Sequence, residues 1–350
     1  MSSDKPGMSR DEMQEMVDPS PQTVSLQQQL RDALTDVKRL KTQIGSDLAL
    51  FDYIKDSLEP LKAYPKVPIT KPKMTKKMLR PSLIITDAHC EEVVDAEQME
   101  GMASYDWDTF VSRMRRTTEQ CVEWTEIMRH TAHVEELDVW LLGDWFMGMI
   151  HPDDTGWGSS MPLPCALPGA ALVLGDELMR LAAHFKKVRV TAVVGNHGRT
   201  TRKPTQKMTA DRNWDFSVYL IAQAYTQRAK NIEWVIPRSR VHVIDMLGSQ
   251  VALTHGDISR STGTVPYFGI INTMRKQHQS RRRTGRDFDY CFLGHWHHEA
   301  LLDGEIFICP ALIGPSQYSQ YEMHSRSLAQ QMMIFWSEEH GPITRCPINL

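Results

Sequence analysis

The sequence predicts an α/β protein in which β-sheets are buried between helices. From about residue 82, short apolar runs alternate with longer amphipathic stretches, and short strands dominate the C-terminal third. This mixed order is typical of layered α/β domains. A chain of 350 residues is long enough for one large domain with an appendage. Its hydrophobic fraction of 41% and charged fraction of 24% exclude a fibrous or wholly disordered protein.

The first 81 residues differ from the rest of the chain. Residues 1–24 are polar and lack apolar periodicity, so we expect a disordered tail. Within residues 25–59, apolar side chains recur at spacings of four and three, which predicts a helix. These side chains are Leu26, Leu30, Ala33, Val37, Leu40 and Ile44. The helix either joins two copies of the chain as a homodimer or packs on the domain that follows. Residues 60–81 are rich in proline and basic residues, which predicts an extended linker.

We expect the main domain at residues 82–345. The pattern predicts strands at 83–86, 139–142 and 188–194, with helices at 107–130, 168–185 and 216–228. Further strands are predicted at 241–244, 251–254, 290–293, 306–309 and 332–336, and one more helix at 267–279.

The chain has the features of a cytoplasmic protein. No apolar run approaches the ~18–20 residues that a membrane-spanning helix needs. The N-terminal residues lack the apolar core of a secretory signal. The six cysteines form no CxxC pair, so we expect reduced thiols and neither a disulfide framework nor a structural zinc site.

Five short polar motifs each follow an apolar run. They are Asp87-Ala88-His89, Gly143-Asp144, Gly195-Asn196-His197, His255-Gly256 and Gly294-His295-Trp296-His297. In α/β sheets, ligand-binding loops follow the carboxyl ends of adjacent strands, so five motifs at strand ends predict one shared pocket.

The residue types in these motifs indicate a metal site. Carboxylate, amide oxygen and imidazole suit Mn²⁺ best, with Fe²⁺, Zn²⁺ and Mg²⁺ as alternatives. The candidate ligands are Asp87, His89, Asp144, Asn196, His255, His295 and His297. Seven side chains are too many for one tetrahedral ion and suit two ions that share a carboxylate. Two ions about 3.5–4 Å apart can hold a hydroxide nucleophile and stabilise the charge that develops in a phosphoryl displacement.

The ordered motifs DxH, GD, GNH, HG and GHxH resemble those of the calcineurin-like metallophosphoesterase superfamily over residues 82–340. The resemblance implies a two-sheet β-sandwich flanked by helices. It also implies that Asp87, His89 and His297 hold one metal ion, that Asn196, His255 and His295 hold a second, and that Asp144 bridges both. His197 would be the general acid that protonates the leaving oxygen.

Two positions depart from the superfamily pattern. Gly198 follows the GNH histidine, where members often carry Asp or Glu, and Met147 stands where many carry Asp or His. Gly198 weakens the case for a phosphoserine phosphatase. The continuation from Gly198 to Lys203 resembles phage-encoded members, which are often likened to DNA-repair nucleases and to the small subunit of an archaeal polymerase.

The formal net charge of −3 excludes a bulk polycation but conceals basic runs at 60–81, 199–212 and 275–286. We expect the second run to flank the metals, with Arg199, Arg202 and Lys203 as candidate contacts to substrate phosphate. The run 275–286 either flanks the metals too or is a solvated helix end.

The sequence therefore favours a two-metal phosphodiesterase, most simply a nuclease that hydrolyses DNA or another nucleic acid through a metal-activated hydroxide. Two alternatives stay open. One is a phosphomonoesterase acting on a phosphoprotein or nucleotide. The other is a non-catalytic scaffold of a DNA-processing complex.

Overall fold

The computed structural model describes residues 77–148, 150, 159–259, 264–321 and 328–350. These residues form two β-sheets with helices on their outer faces, which confirms the predicted two-sheet sandwich. The predicted tail 1–24, the predicted helix 25–59 with its dimer contact, and residues 60–76 of the predicted linker lie outside the described residues.

The first sheet contains the parallel strands β1 (Arg80–Ile85), β2 (Glu136–Leu141), β3 (Lys187–Ala192) and β4 (Ile232–Val235). Two antiparallel strands extend it beyond β1, namely β10 (Gln330–Ser337) and then β11 (Gly341–Asn349). Helices α1 (Trp107–Arg129), α2 (Leu163–His184) and α3 (Trp214–Thr226) share one apolar cluster with its outer face.

The second sheet has the strand order β5-β6-β7-β9-β8. Its strands are β5 (Val241–Met246), β6 (Ser249–Thr254), β7 (Tyr290–Leu293), β8 (Ala300–Leu302) and β9 (Ile306–Ile308). The central strands β6, β7 and β9 are parallel. Helix α4 (Tyr267–Arg282) packs on its outer face through Ile270 and Met274, and a short helix α5 covers Gln317–Tyr321.

The two sheets enclose an aromatic core. Successive side chains of a strand point to opposite faces, so Ile84 of β1 and Trp140 of β2 face the second sheet while their neighbours face the helices. Trp140 meets Phe292 of β7 edge to face at 5.0 Å between ring centroids. Phe292 in turn stacks on Phe307 of β9 at 4.4 Å. Both faces of the central strands are therefore buried, which explains why they are continuous apolar runs in the sequence.

The first and last strands of the described structure, β1 and β11, extend beyond residues 82 and 345. Strand β1 starts at Arg80 and includes Pro81, because the parallel pairing with β2 starts only at Ser82 and leaves the proline without a partner on that side. Strand β11 extends to Asn349 although it contains Pro342 and Pro347. It lies at the edge of the sheet, where a strand tolerates missing N–H donors. The sequence pattern also does not predict β4 and β8, which are only four and three residues long.

None of the helices in the described part of the chain is long and apolar enough to cross a membrane.

Candidate metal centre

The five polar motifs lie together at the carboxyl edges of the two sheets. β1, β2 and β3 are adjacent parallel strands, and they lead into Asp87, Asp144 and Asn196. The loops after β1 and β2 stay paired beyond the strands, because Asp87 N–H donates to Gly143 O at 3.0 Å and Ala88 N–H donates to Asp144 O at 2.8 Å. β6 and β7 of the second sheet lead into His255 and His295.

One group of candidate ligands consists of Asp87, His89 and His297, whose ligand atoms all lie within 4.8 Å of one another. Asp87 is fully buried, and its Oδ1 is 3.3 Å from His297 Nε2. The backbone N–H of His295 lies 3.1 Å from both carboxylate oxygens of Asp87. The loop after β7 is thereby held against the loop after β1.

A second group consists of Asp144, His255 and His295, again within 4.8 Å. His255 Nε2 is 2.8 Å from Asp144 Oδ2 and 3.1 Å from Asn196 Oδ1. His255 Nδ1 is 2.8 Å from Leu142 O. A hydrogen bond from Nδ1–H to that carbonyl orients the ring with Nε2 towards the carboxylate, as is usual for histidines that bind metals. The first group contains the three residues expected to hold one ion. The second contains His255 and His295, expected to hold the other ion, together with Asp144, the expected shared ligand.

Five of the candidate ligands have a left-handed backbone. The φ angles are 53° for Asp87, 43° for His89, 55° for Asp144, 71° for His295 and 45° for His297. This region is unfavourable for residues with a side chain and costs about 1–3 kcal/mol at each position. Such strain concentrates at functional sites, where the surrounding structure holds it in place.

Opposed charges dominate the two groups. Burial lowers the pKa of His255, but the nearby carboxylates, with Asp144 the strongest, together raise it to about 10. Burial raises the pKa of Asp87, yet His297 and His255 together lower it to about 2. Each carboxylate therefore favours the protonated, positively charged form of the imidazole opposite it, because Asp144 raises the pKa of His255 and Asp87 raises the pKa of His297. A divalent cation between the same atoms would supply that charge in place of the proton.

His89 fits a metal ligand because nothing in the described structure satisfies its ring. Both ring nitrogens are buried and have no hydrogen-bond partner among the described residues, although Glu92 Oε2 lies 3.6 Å from Nδ1. Burial, followed by the charge of His197, holds the pKa of His89 well below its usual value. A buried neutral imidazole with an unsatisfied nitrogen is the form that coordinates a metal ion.

His197 lies at the edge of the first group. Its ring meets that of His89 edge to face at 4.8 Å between centroids, and its backbone N–H donates to Asp144 Oδ1 at 2.8 Å. His197 Nδ1 is 2.8 Å from the backbone oxygen of Met147. Met147 stands where many superfamily members carry Asp or His, and it supplies the contact to His197 through its main chain.

Asp215, which the sequence patterns do not single out, connects the loops after β2 and β3. Its buried carboxylate accepts hydrogen bonds from the backbone N–H groups of Asp144 at 2.9 Å, Trp145 at 3.1 Å and Gly195 at 2.8 Å. Burial, reinforced by the charge of Asp144, raises the pKa of Asp215 to about 6. Asp215 therefore fixes the backbone that presents Asp144.

The side chains of Asn213 and Asp215 also explain Gly198. A Cβ atom at position 198 would lie 2.2 Å from Asn213 Oδ1 and 2.9 Å from Asp215 Oδ1. The space beside the GNH histidine is thus filled by polar groups from the start of α3. The sequence signal was the Asn-x-Asp pair, which is typical of a helix N-terminus.

Glu91 is a second residue that the sequence patterns do not identify. Its buried carboxylate accepts hydrogen bonds from Met147 N–H at 3.2 Å and Gly148 N–H at 3.0 Å. Burial raises the pKa of Glu91 to about 7, against the effect of these hydrogen bonds. Glu91 therefore fixes the peptide whose carbonyl contacts His197.

The candidate phosphate-binding residues differ in how they are placed. Arg199 is partly buried and donates hydrogen bonds to Asn196 O at 3.0 Å and Thr201 O at 3.1 Å. Arg202 and Lys203 are exposed. The basic run 275–286 lies at the opposite edge of the second sheet, because it precedes the amino end of β7 while the motif follows the carboxyl end. Arg275 accordingly contacts Asp303, in the turn before β9.

No family model matches this sequence, and no curated protein is similar to it. Comparison with solved structures finds vacuolar protein sorting 29 from Cryptosporidium parvum, with 11% identity, coverage of 74% of this chain and 86% of that one, and a TM-score of 0.31. Vps29 from Entamoeba histolytica, in complex with Zn²⁺, has 10% identity, with coverage of 77% of this chain and 99% of that one, and a TM-score of 0.29.

The sulfate thiohydrolase SoxB from Thermus thermophilus has 8% identity, with coverage of 79% of this chain and 57% of that one, and a TM-score of 0.30.

Proposed function

We propose that this protein is a metal-dependent phosphoesterase that hydrolyses phosphodiester bonds in nucleic acid. The observation that carries the proposal is the pair of adjacent, buried carboxylate–histidine groups, one of which includes the unsatisfied ring of His89. Oxygen and imidazole ligands without thiolates suit Mn²⁺, which is the ion we propose, with Fe²⁺, Zn²⁺ or Mg²⁺ as alternatives.

In this proposal Asp87, His89 and His297 would hold one ion, and Asn196, His255 and His295 would hold the other, with Asp144 as a ligand that both sets share. Bound divalent ions would supply Lewis-acid stabilisation of the negative charge that develops on the phosphoryl oxygens. The protein's own contribution is to hold the ligands at fixed positions. Two hydrogen bonds support that role, from Asp144 N–H to Asp215 and from His255 Nδ1 to Leu142 O, because Asp144 and His255 are themselves proposed ligands.

His197 is the proposed general acid. In this role His197 acts as an imidazolium, in which Nδ1–H donates to Met147 O at 2.8 Å and orients the ring while Nε2–H is the transferable proton. As the bond between phosphorus and the leaving oxygen breaks, that oxygen takes the proton from Nε2. General-acid assistance of this kind is worth roughly 10²–10⁴ in rate.

A panel of substrates with Mn²⁺ tests the proposal. We expect hydrolysis of single- or double-stranded DNA and of bis(p-nitrophenyl) phosphate, and none by Asp144→Ala. Efficient turnover of p-nitrophenyl phosphate with almost none of the diesters would instead identify a phosphomonoesterase. Absence of turnover by protein that binds two ions would refute catalysis and favour the scaffold.

A further inference from the structure

A groove next to the candidate metal centre is lined by arginines. It lies between the 199–212 loop and the start of β5, and its lining includes Asn196, Arg199, Arg212, Arg240 and Asp257. Asn196 belongs to the proposed ligand set, so one wall of the groove continues into the metal centre. Thr205 and Thr209 of the loop also line it.

The acids of this surface are already paired. Asp257 forms an ion pair with Arg240, and Asp211 forms one with Arg238 at 3.3 Å. The 199–212 loop carries five basic residues and only one acid, Asp211. The groove therefore keeps an excess of positive charge.

Arg199 is held in place by the loop itself. Its guanidinium donates to the carbonyl oxygens of Asn196, Thr201 and Arg202 at 3.0, 3.1 and 3.3 Å. These bonds use three of the five N–H donors of a guanidinium. Its charge is consequently fixed in position beside Asn196. Arg212, by contrast, is exposed and directly precedes Asn213, the N-cap residue of α3.

We propose that this groove binds a backbone phosphate of a nucleic-acid strand, one that neighbours the phosphodiester being cleaved. The inference rests on the proposed function, since it assumes that the scissile phosphate lies at the metal centre. A strand carries a phosphate at every nucleotide, so a second anion necessarily accompanies the first. A phosphoprotein or a mononucleotide substrate has no such repeated anion. Arginine and threonine side chains are common contacts to backbone phosphates.

The binding of a fluorescein-labelled oligo-dT strand, measured by anisotropy in EDTA, tests the groove. Each phosphate contact with a single strand contributes about 0.7 to the slope of log affinity against log salt, which corresponds to roughly five-fold in affinity at 0.1 M salt. We therefore expect Arg212→Ala to reduce the slope by about 0.7 and the affinity about five-fold. Arg212→Lys should retain most of both, because it keeps the charge.

Arg228→Ala is the matched control. Arg228 is exposed and follows Gln227, the C-cap residue of α3. Its substitution removes the same charge as Arg212→Ala, but at the other end of α3, roughly 20 Å away at a rise of 1.5 Å per residue. Arg228→Ala should leave the slope and the affinity unchanged. Equal weakening by the two alanine variants, or wild-type protein that does not bind the strand, would overturn the proposal. Far-UV circular dichroism confirms that the variants are folded.

The two proposals fail in different ways. The anisotropy experiment contains no metal, so its result does not depend on hydrolysis. Turnover of bis(p-nitrophenyl) phosphate with Mn²⁺ reports the proposed function alone, because this small diester has no second phosphate. Where wild-type protein hydrolyses both substrates, Arg212→Ala should lower kcat/KM for the oligonucleotide about five-fold relative to kcat/KM for the small diester. An unchanged ratio would also contradict the proposal that the groove binds a neighbouring phosphate.

Discussion

Gly195→Ala tests how closely the loops after β2 and β3 must pack to present Asp144. A Cβ atom at position 195 would lie 2.1 Å from Asp144 Oδ1 and 2.4 Å from its backbone nitrogen. Ordinary contact begins at 3.4 Å, so the carboxylate must move by about 1.3 Å. The φ angle of Gly195 lies outside the left-handed region, so alanine is sterically allowed by its own backbone. The effect therefore falls on Asp144, at both its carboxylate and its backbone nitrogen.

A shift of this size should greatly weaken metal binding, because ligand distances must lie within about 0.2 Å of their preferred values. Misplacement by about 1 Å can cost 10²-fold in rate. We expect Gly195→Ala to bind Mn²⁺ at least ~10²-fold more weakly by isothermal titration calorimetry, with an unchanged far-UV spectrum.

The control for this experiment is Gly304→Ala. Gly304 has no neighbour within 4 Å of an added Cβ, but its φ is +77°, so the substitution should cost stability and leave Mn²⁺ affinity unchanged. Wild-type affinity in Gly195→Ala would refute the reasoning, since it would mean that Asp144 need not occupy its observed position.

Three further predictions concern groups around the centre and in the sheet. His197→Ala should retain its bound metal and lose ~10²–10⁴ in turnover, and loss of metal would contradict the general-acid role. Asp215→Ala leaves three buried N–H groups unpaired, and at ~1–3 kcal/mol each it should lower the free energy of unfolding by at least ~3 kcal/mol in urea titrations. Burial raises the pKa of Asp138 from 3.8 to about 6 although Arg80 and Arg189 lie within 3.8 Å. The folded state then binds this proton more tightly, so stability should fall as pH rises from about 4 to 6. Asp138→Asn should remove that fall and raise the free energy of unfolding by on the order of 3 kcal/mol above pH 6. An unchanged dependence of stability on pH would show that the two arginines outweigh burial.

The sequence predicts the positions of the metal-centre loops well for a physical reason. Each candidate ligand follows an apolar run, and parallel strands bring their carboxyl ends to one edge. The distances within the groups of Asp87 and Asp144 follow from that topology. The same rule also places the basic run 275–286, because residues that precede a parallel strand lie at the edge opposite its motif.

The supporting residues could not be predicted in this way. Asp215 has the sequence context of an ordinary helix N-terminus, and its role depends on three N–H groups from two distant loops. Glu91 similarly acts on residues 56 and 57 positions further along the chain. The sequence does not predict strand β11, because its two prolines argue against a strand. A strand tolerates prolines at the edge of a sheet, and that position is visible only in the structure.

The central claim is that two divalent ions bind, with Asp144 serving both. The most direct test measures metal content by elemental mass spectrometry. The protein is first equilibrated with Mn²⁺ and passed through a desalting column. The account predicts two ions for each wild-type chain, and at most one for Asp144→Ala with unchanged secondary structure. One ion or none in wild-type protein, or two in Asp144→Ala, would contradict it.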